Sequence, residues 1–468
     1  MTDLINGFMA PANRGSDFES AGAASRRLRG LQSEGASHAD EATGSSRTEA
    51  PIDAFDYALG LGGQGIVDDA IAGNPGPEQF DYAELDQMKQ TDKRWAWLEI
   101  DLSAIRHNVS QIRRLVGPRC QVMAVVKADA YGHGAVEVSK AALGSGASRL
   151  AVSSVPEAIE LRRAGISVPL AILEQPPITA VPLLLAYDIT PAIYEPDFAI
   201  AYGEAADLHG MTAPYHLAVN TGMNRLGVPF RDAVEFLRQV SFHRALQLEG
   251  VFTQFATAEV PETLDFQIQM NRFLDVLDEI RGAGFDPGIV HAANSAALCR
   301  FPQARFDMVR CGIIMYGIHP CEATREIVEL RPAMSVHARI VDTHVVPVSE
   351  GVSYGMRYRS PGNVKICTLP IGYADGLSRI LSDRIDFIMD GRYFRQVGDI
   401  CMDQCMFEVD LRNRANLGRF NPQIGDEVIV VGHQGVAEIT VDELAEKANT
   451  VPHEVLIGFA QRMPKVFV

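Results

Sequence analysis

The chain has 468 residues, 47% of them hydrophobic, which exceeds one average domain and suffices for a sizeable core. A formal net charge of −17 with no basic stripe argues against a nucleic-acid partner, and no apolar run approaches the length needed to span a bilayer. Met1 to Ala10 lacks the basic-then-apolar layout of a secretion signal, and seven scattered cysteines suit reduced thiols better than a disulfide framework or a metal site, so the expected compartment is the cytoplasm.

Residues 1–94 read as an acidic N-terminal extension. Over 1–90 there are 15 Asp and Glu against 6 Lys and Arg, with no sustained periodicity. Such a segment buries too little apolar surface to offset its ordering entropy and is expected to be disordered. Trp95 to Leu102 alternates as a strand, and Asp101 or Ser103 can cap a helix running to about Val116. Then come eight apolar runs separated by amphipathic stretches: Val122–Lys127, Leu150–Ser153, Leu170–Leu173, Ile189–Ile193, Tyr215–Val219, Leu246–Phe252, Gly288–Ala292 and Met308–Ile314. Helical patterns such as Ala135–Ala142, Pro156–Ala164 and Thr263–Gly282 lie between them. Eight strand-then-helix units predict an α/β fold, a (β/α)8 TIM-like barrel over 95–334. The first strand, 95–102, is assignable either to that barrel or to the domain that follows. Beyond Pro332 the pattern changes to two-residue alternation with hairpin signals, as in His337–Pro347, Ile385–Met389, Asp390-Gly391, Arg392–Val397 and Glu427–Val431, so a mainly β C-terminal domain is expected over 335–468. Thr440-Val-Asp-Glu443 is a capping box opening a helix to about Asn449.

Active sites of barrels are built at the C-terminal ends of the strands, and the polar motifs follow the strands here. Lys127 closes the first apolar run and opens Ala128-Asp-Ala-Tyr-Gly-His-Gly134. A partly desolvated lysine there can act as a Schiff-base nucleophile, and the glycines should let backbone N–H groups meet an anion at the next helix's N-terminus. Lysine plus phosphate cradle suggests pyridoxal phosphate. Taken alone, Lys127-Ala-Asp reads better as a surface lysine on an ordinary strand-to-helix loop.

Ten residues, Val125 to Gly134, resemble the cofactor-attachment signature of the alanine racemase family. From Trp95 to Val468 further motifs carry the resemblance: Thr221-Gly-Met-Asn-Arg-Leu-Gly227, Asn294-Ser295-Ala296, Val309-Arg-Cys-Gly-Ile-Ile-Met-Tyr-Gly317, Val352-Ser-Tyr-Gly355, Ile371-Gly-Tyr-Ala-Asp-Gly376 and Met402-Asp403. The resemblance implies a pyridoxal 5′-phosphate barrel, a C-terminal β domain, an amino-acid substrate, and a homodimer with shared active sites that interconverts L- and D-alanine, supplying D-alanine for peptidoglycan.

Racemisation needs a base on each face of one carbon. The resemblance assigns Lys127 to one face and Tyr354, donated by the partner subunit, to the other. Arg225 is matched to the substrate carboxylate and the cofactor hydroxyl, Met402 to a backbone contact with that carboxylate, and Tyr373 to a gate at the entrance. Tyr131, Ser295, Gly312, Ile313 and His453 are matched to phosphate, with Asn294 beside them. Arg310 is matched to the pyridine nitrogen, where an always-protonated donor leaves the ring a weak electron sink and favours proton exchange over transamination. Singly, Tyr354 and Tyr373 read as packed aromatics, Met402 as core and Arg310 as a rim ion-pair partner.

Four positions depart from the family pattern. Ala218 stands where many members have a lysine modified by carbon dioxide, Asn220 replaces an aspartate, Gln254 a ring-facing histidine and His453 a tyrosine. Asn220 or a bound anion is then expected to hold Arg225. The alternatives are a racemase preferring serine or another small amino acid, a decarboxylase on the same architecture, which Arg310 disfavours, and a cofactor-binding regulatory protein.

Overall fold

The computed structural model describes residues 89–261, 264–411 and 421–468. The expected disorder of the extension falls on residues outside these, apart from its end, where Gln90–Lys93 form one helical turn.

Strand β1 (Ala96–Ile100) joins the second sheet of the molecule rather than the barrel, pairing antiparallel with β11 (Met334–Arg339) and parallel with β21 (Lys465–Phe467). Asp101 caps the following helix, Leu102–Val116, by accepting from the N–H groups of Ser103 and Ala104.

The barrel consists of β2 (Gln121–Val125), β3 (Arg149–Val152), β4 (Leu170–Ile172), β5 (Thr190–Ile193), β6 (Ala213–Asn220), β8 (Leu246–Phe252), β9 (Ile289–His291) and β10 (Met308–Cys311), all parallel, with β10 returning to pair with β2. A two-residue strand, β7 (Val228–Pro229), hangs on the end of β6. Between β9 and β10 the ladder thins to two flanking bonds, Asp307 N–H to Val290 O (3.1 Å) and Arg310 N–H to Ala293 O (3.0 Å). These short apolar strands are covered on both faces, as parallel strands require. The eighth ends three residues earlier than its apolar run because Gly312 turns the chain and Ile313–Tyr316 coil into a 3-10 turn.

The C-terminal half contributes β11, β16 (Asp386–Met389), β17 (Arg392–Arg395) and β19 (Glu427–Gln434) to the sheet holding β1, with β20 (Ala437–Ile439) on β19. A second sheet pairs β12 (Asp342–Val346), β15 (Val364–Leu369) and β18 (Cys405–Asp410), and a small ribbon pairs β13 (Gly351–Val352) with β14 (Tyr358–Arg359). The alternating stretch His337–Pro347 is divided between two strands, parted at Ile340-Val341 where the chain changes sheets. Asp390 and Gly391 both take positive φ (50° and 70°), the two-residue turn that Asp-Gly favours between β16 and β17. One buried apolar cluster runs from the barrel into the β1 sheet, and the helix Pro452–Phe459 is packed against the turn Lys127–Tyr131 that follows β2. No helix among the described residues is long and apolar enough to cross a membrane.

Candidate active site

At the C-terminal ends of the strands lies a cavity of about 720 Å³, a size suited to a cofactor with a small substrate. Nine residues singled out in the sequence line it together: Lys127, Tyr131, Arg225, Asn294, Ser295, Arg310, Gly312, Ile313 and His453. Lys127, Arg225 and Arg310 put three cations on its wall against Glu174 and Glu259, a balance that favours an anionic ligand.

Lys127 stands on an unusual mount. Ala128, Asp129, Ala130 and Tyr131 all take left-handed backbone angles, with φ between 52° and 54°. Four such residues in sequence, none of them glycine, are held only because their surroundings over-determine them. Glu157 supplies part of that hold. One carboxylate oxygen accepts from Ala128 N–H (2.8 Å) and the other from Ser153 and Ser154 N–H (2.8 and 3.1 Å). The sequence does carry a sign of Glu157, because Ser154-Val-Pro-Glu157 is a helix-start pattern. The structure corrects the role expected of the glycine turn. At the N-terminus of Ala135–Leu143 the anion is the chain's own Asp129, which accepts from Ala135 N–H (2.7 Å) and pairs with Lys465 (2.8 Å).

The groups suited to a phosphate sit across the cavity. Gly312 N–H points at Ser295 Oγ (3.2 Å), and a Cβ at Gly312 would stand 2.7 Å from Tyr131 Oη. Only glycine keeps a backbone amide and two hydroxyls converging there. Burial pushes Tyr131 up to about 12, so its hydroxyl stays protonated and can donate. His453, half-buried, lies 5.7 Å ring to ring from Tyr131, and burial followed by the charge of Lys127 lowers it below the usual imidazole range, which makes it a neutral donor. Asn294 lines the same wall while its side-chain oxygen caps Ala297 N–H (3.0 Å).

Arg310 is 4% exposed. Nη1 donates to His291 O and Nδ1 (3.0 Å each), and Nη2 to Thr253 O (2.8 Å), Ala292 O (3.0 Å) and Gln254 Oε1 (2.9 Å). Among the described residues Nε has no hydrogen-bond partner and no carboxylate pairs with the group. Burial and then Arg225 lower it to about 9, so it remains a cation at neutral pH. Gln254, which replaces a ring-facing histidine of the family pattern, helps to anchor this arginine. Asn220 does not hold Arg225. Its Oδ1 accepts from Gly222 and Asn224 N–H (3.0 Å each) and its Nδ2 donates to Asn224, so it shapes the loop alone. Arg225 itself forms no hydrogen bond or ion pair among the described residues, and Ala218 is buried in a small apolar cluster with Ala192 and Phe252.

Three sequence candidates are not in this cavity. Tyr354, Met402 and Tyr373 are 73%, 54% and 42% exposed on loops of the C-terminal half. The loops are tied to one another. Tyr373 and Ala374 N–H donate to Cys401 and Met402 O (3.0 and 2.9 Å), and Ser353 Oγ donates to Asp399 O (2.6 Å).

The residues present fit pyridoxal phosphate: an amine at a strand end, a cradle that a Cβ would fill, and a buried donor cation facing the cavity. Comparison with known proteins shows the family. Family descriptions match over residues 100–320 as "Alanine racemase, N-terminal domain" and over 333–467 as "Alanine racemase, C-terminal domain". An alanine racemase of Desulforamulus reducens is 41% identical over 376 residues, covering 80% of this chain and 98% of that protein. The crystal structure of alanine racemase from Bacillus anthracis with bound L-Ala-P is 36% identical with a TM-score of 0.74, over 80% of this chain and 95% of that one. Histidine racemase from Leuconostoc mesenteroides is 28% identical with a TM-score of 0.72, over 80% and 98%. The chain belongs to the alanine racemase family and is an isomerase, a racemase.

Proposed function

We propose that this racemase interconverts L- and D-alanine with pyridoxal 5′-phosphate, in a cytoplasmic homodimer whose cavities are each completed by Tyr354 of the partner subunit, and that it supplies D-alanine for peptidoglycan. When bound, the cofactor supplies a conjugated ring that acidifies the α-carbon of an amine joined to its aldehyde carbon. The Lys127 amine would hold the cofactor and take or return the α-proton on one face. The Tyr354 hydroxyl would do so on the other, which is why both configurations are reached. Tyr131, Ser295, His453 and the amides of Gly312 and Ile313 would hold the phosphate, with Asn294 fixing their helix. Arg225 and the backbone at Met402 would orient the substrate carboxylate, and Tyr373 would narrow the entrance.

The observation that carries this reading is Arg310. A buried guanidinium on the cavity wall with no carboxylate partner among the described residues suits a ring nitrogen that keeps its lone pair, and so proton exchange rather than transamination. The exposure of Tyr354, Tyr373 and Met402 supports shared sites, because these three lie outside the lining of the cavity their own chain builds.

The test is incubation with L-alanine and chiral detection of D-alanine. Lys127→Ala and Tyr354→Phe should each abolish most of the exchange, and activity persisting in both overturns the assignment. A second reading, another small amino acid such as serine, is favoured by Ala218, a small side chain on the same cavity wall as Arg225. A screen of α-proton exchange in deuterated water across the amino acids separates the two.

A further inference from the structure

Beneath the cavity the barrel interior carries a line of polar side chains that no step above uses. His291 ends β9 fully buried, with Nδ1 3.0 Å from Arg310 Nη1 and Nε2 2.7 Å from Nδ1 of His216 in β6. His216 Nε2 lies 3.4 Å from Glu249 Oε2, within ion-pair reach although obliquely aligned. The other oxygen of Glu249 accepts from Arg149 Nη1 (2.6 Å), and Thr190 Oγ1 donates to Oε2 (3.3 Å). Arg149 and Thr190 are the first residues of β3 and β5, so the line ends at the rim of the barrel opposite the cavity.

Two backbone features build it. Strands β6 and β8 slip register once: Tyr215 pairs with Leu248 and His216 with Gly250, which leaves Glu249 as the extra residue of a bulge. Bulges re-aim side chains, and this one turns a carboxylate toward the barrel axis. A Cβ at Gly250 would lie 3.0 Å from two ring atoms of His216 and 2.5 Å from Ile289 O, so glycine makes room for the imidazole. Phe252 stacks on His291 (4.9 Å, 15°) and closes one side of the line.

Donor chemistry fixes the protons. Arginine only donates, so His291 Nδ1 accepts. Burial is the largest cause that pushes His291 well below the usual imidazole range, and it is neutral. Its proton is then on Nε2 and is given to His216 Nδ1, which places the proton of His216 on Nε2, facing Glu249. Burial alone would raise the Glu249 carboxyl, but His216 and Arg149 outweigh it and hold it down to about 2.

We infer that Glu249 is the counter-charge of Arg310, relayed through His216 and His291, and that the relay sets how strongly Arg310 donates to a ring nitrogen in the cavity. Polarised hydrogen-bond chains in a low-dielectric interior carry part of a charge from one end to the other. Without the carboxylate the guanidinium is a stronger acid, donates more strongly and draws more charge from the ring. This is a positioning role, and its last link rests on the proposed use of pyridoxal phosphate.

Neutron diffraction from crystals of the full chain should find the protons of both rings on Nε2. A proton on Nδ1 of either ring overturns the relay, whatever the cofactor. In Glu249→Gln loaded with pyridoxal phosphate, the share of turnovers on L-alanine that leave the cofactor in its amine form should rise about threefold, the effect of roughly half a pKa unit at Arg310, while racemisation falls by less. An unchanged share in a variant that melts like the parent also overturns it. If the parent chain develops no lysine-bound absorbance at about 420 nm with pyridoxal phosphate, the cofactor reading fails and the neutron result decides the relay alone.

Discussion

Arg310 is 4% exposed and makes five hydrogen bonds within the barrel, whereas Tyr354 is 73% exposed on a loop outside the barrel's cavity. Both are proposed to serve the same reaction. The loop bearing Tyr354 is nevertheless pinned: Ser353 and Met356 take positive φ (66° and 46°), and Asp399 behind it is gripped by Arg357 and Arg379. A rigid, exposed, polar-tipped turn is shaped before it meets anything. The barrel supplies a nearly complete seat, and in the proposed dimer the C-terminal half offers a ready-made piece for the partner's seat.

The largest way to break that contrast is Lys127→Ala, which should lower alanine racemisation by about a thousandfold or more and abolish the cofactor's visible band. Steady-state rates and absorbance spectra check both. Tyr354→Phe should cost about a hundredfold or more in rate while leaving the melting temperature unchanged, because the hydroxyl contributes nothing to its own chain's core. Mixing the two variants under subunit exchange sharpens the contrast further. If sites are shared, half the dimers are mixed and each holds one intact site, so about a quarter of the parent activity returns; no recovery denies the sharing.

Acid should unsettle the barrel side. His133 is fully buried under the Lys127 turn, 4.5 Å ring to ring from Tyr316, and burial lowers it to about 4. The unfolded chain binds that proton near pH 6.5 and the folded chain does not until about 4. The contribution is therefore complete above pH 6.5 and falls by on the order of 3 kcal/mol between those values. Urea unfolding at pH 7 and pH 4 measures it, and His133→Asn should flatten that slope. The smallest effect is expected in the C-terminal half, where Thr440 Oγ1 accepts from Glu443 N–H (3.1 Å). Thr440→Ala should cost about 1 kcal/mol of stability without changing turnover.

Much of this was legible because buried parallel strands announce themselves as short apolar runs, and the eight runs from Val122 to Ile314 fall on the eight barrel strands within a few residues. The nine residues that converge on the cavity were readable through motif resemblance, not through physics alone. What escaped the sequence escaped for local reasons. Ile340-Val341 are two apolar residues in a row, a one-residue break in the alternation that does not by itself mark a change of sheet. Glu249 sits inside Leu246–Phe252 as a charge followed by a glycine, a sign of a bulge that is easily passed over within an apolar strand. Ala128 to Tyr131 read as ordinary helix-formers, and their reversed handedness is imposed by Glu157, Asp129 and the packing of Tyr131 rather than by any preference of their own.

That reversed turn has a consequence for how the enzyme can be improved. Each alanine there holds a conformation that costs roughly 1–2 kcal/mol against its natural handedness, so the segment acts like a wound spring bracing the amine. Replacing exposed Ala128 by glycine would relax it, and the molecule should become harder to melt even as its lysine wanders. Thermal robustness and a steady nucleophile pull in opposite directions at this one place, and selection for either alone would erode the other.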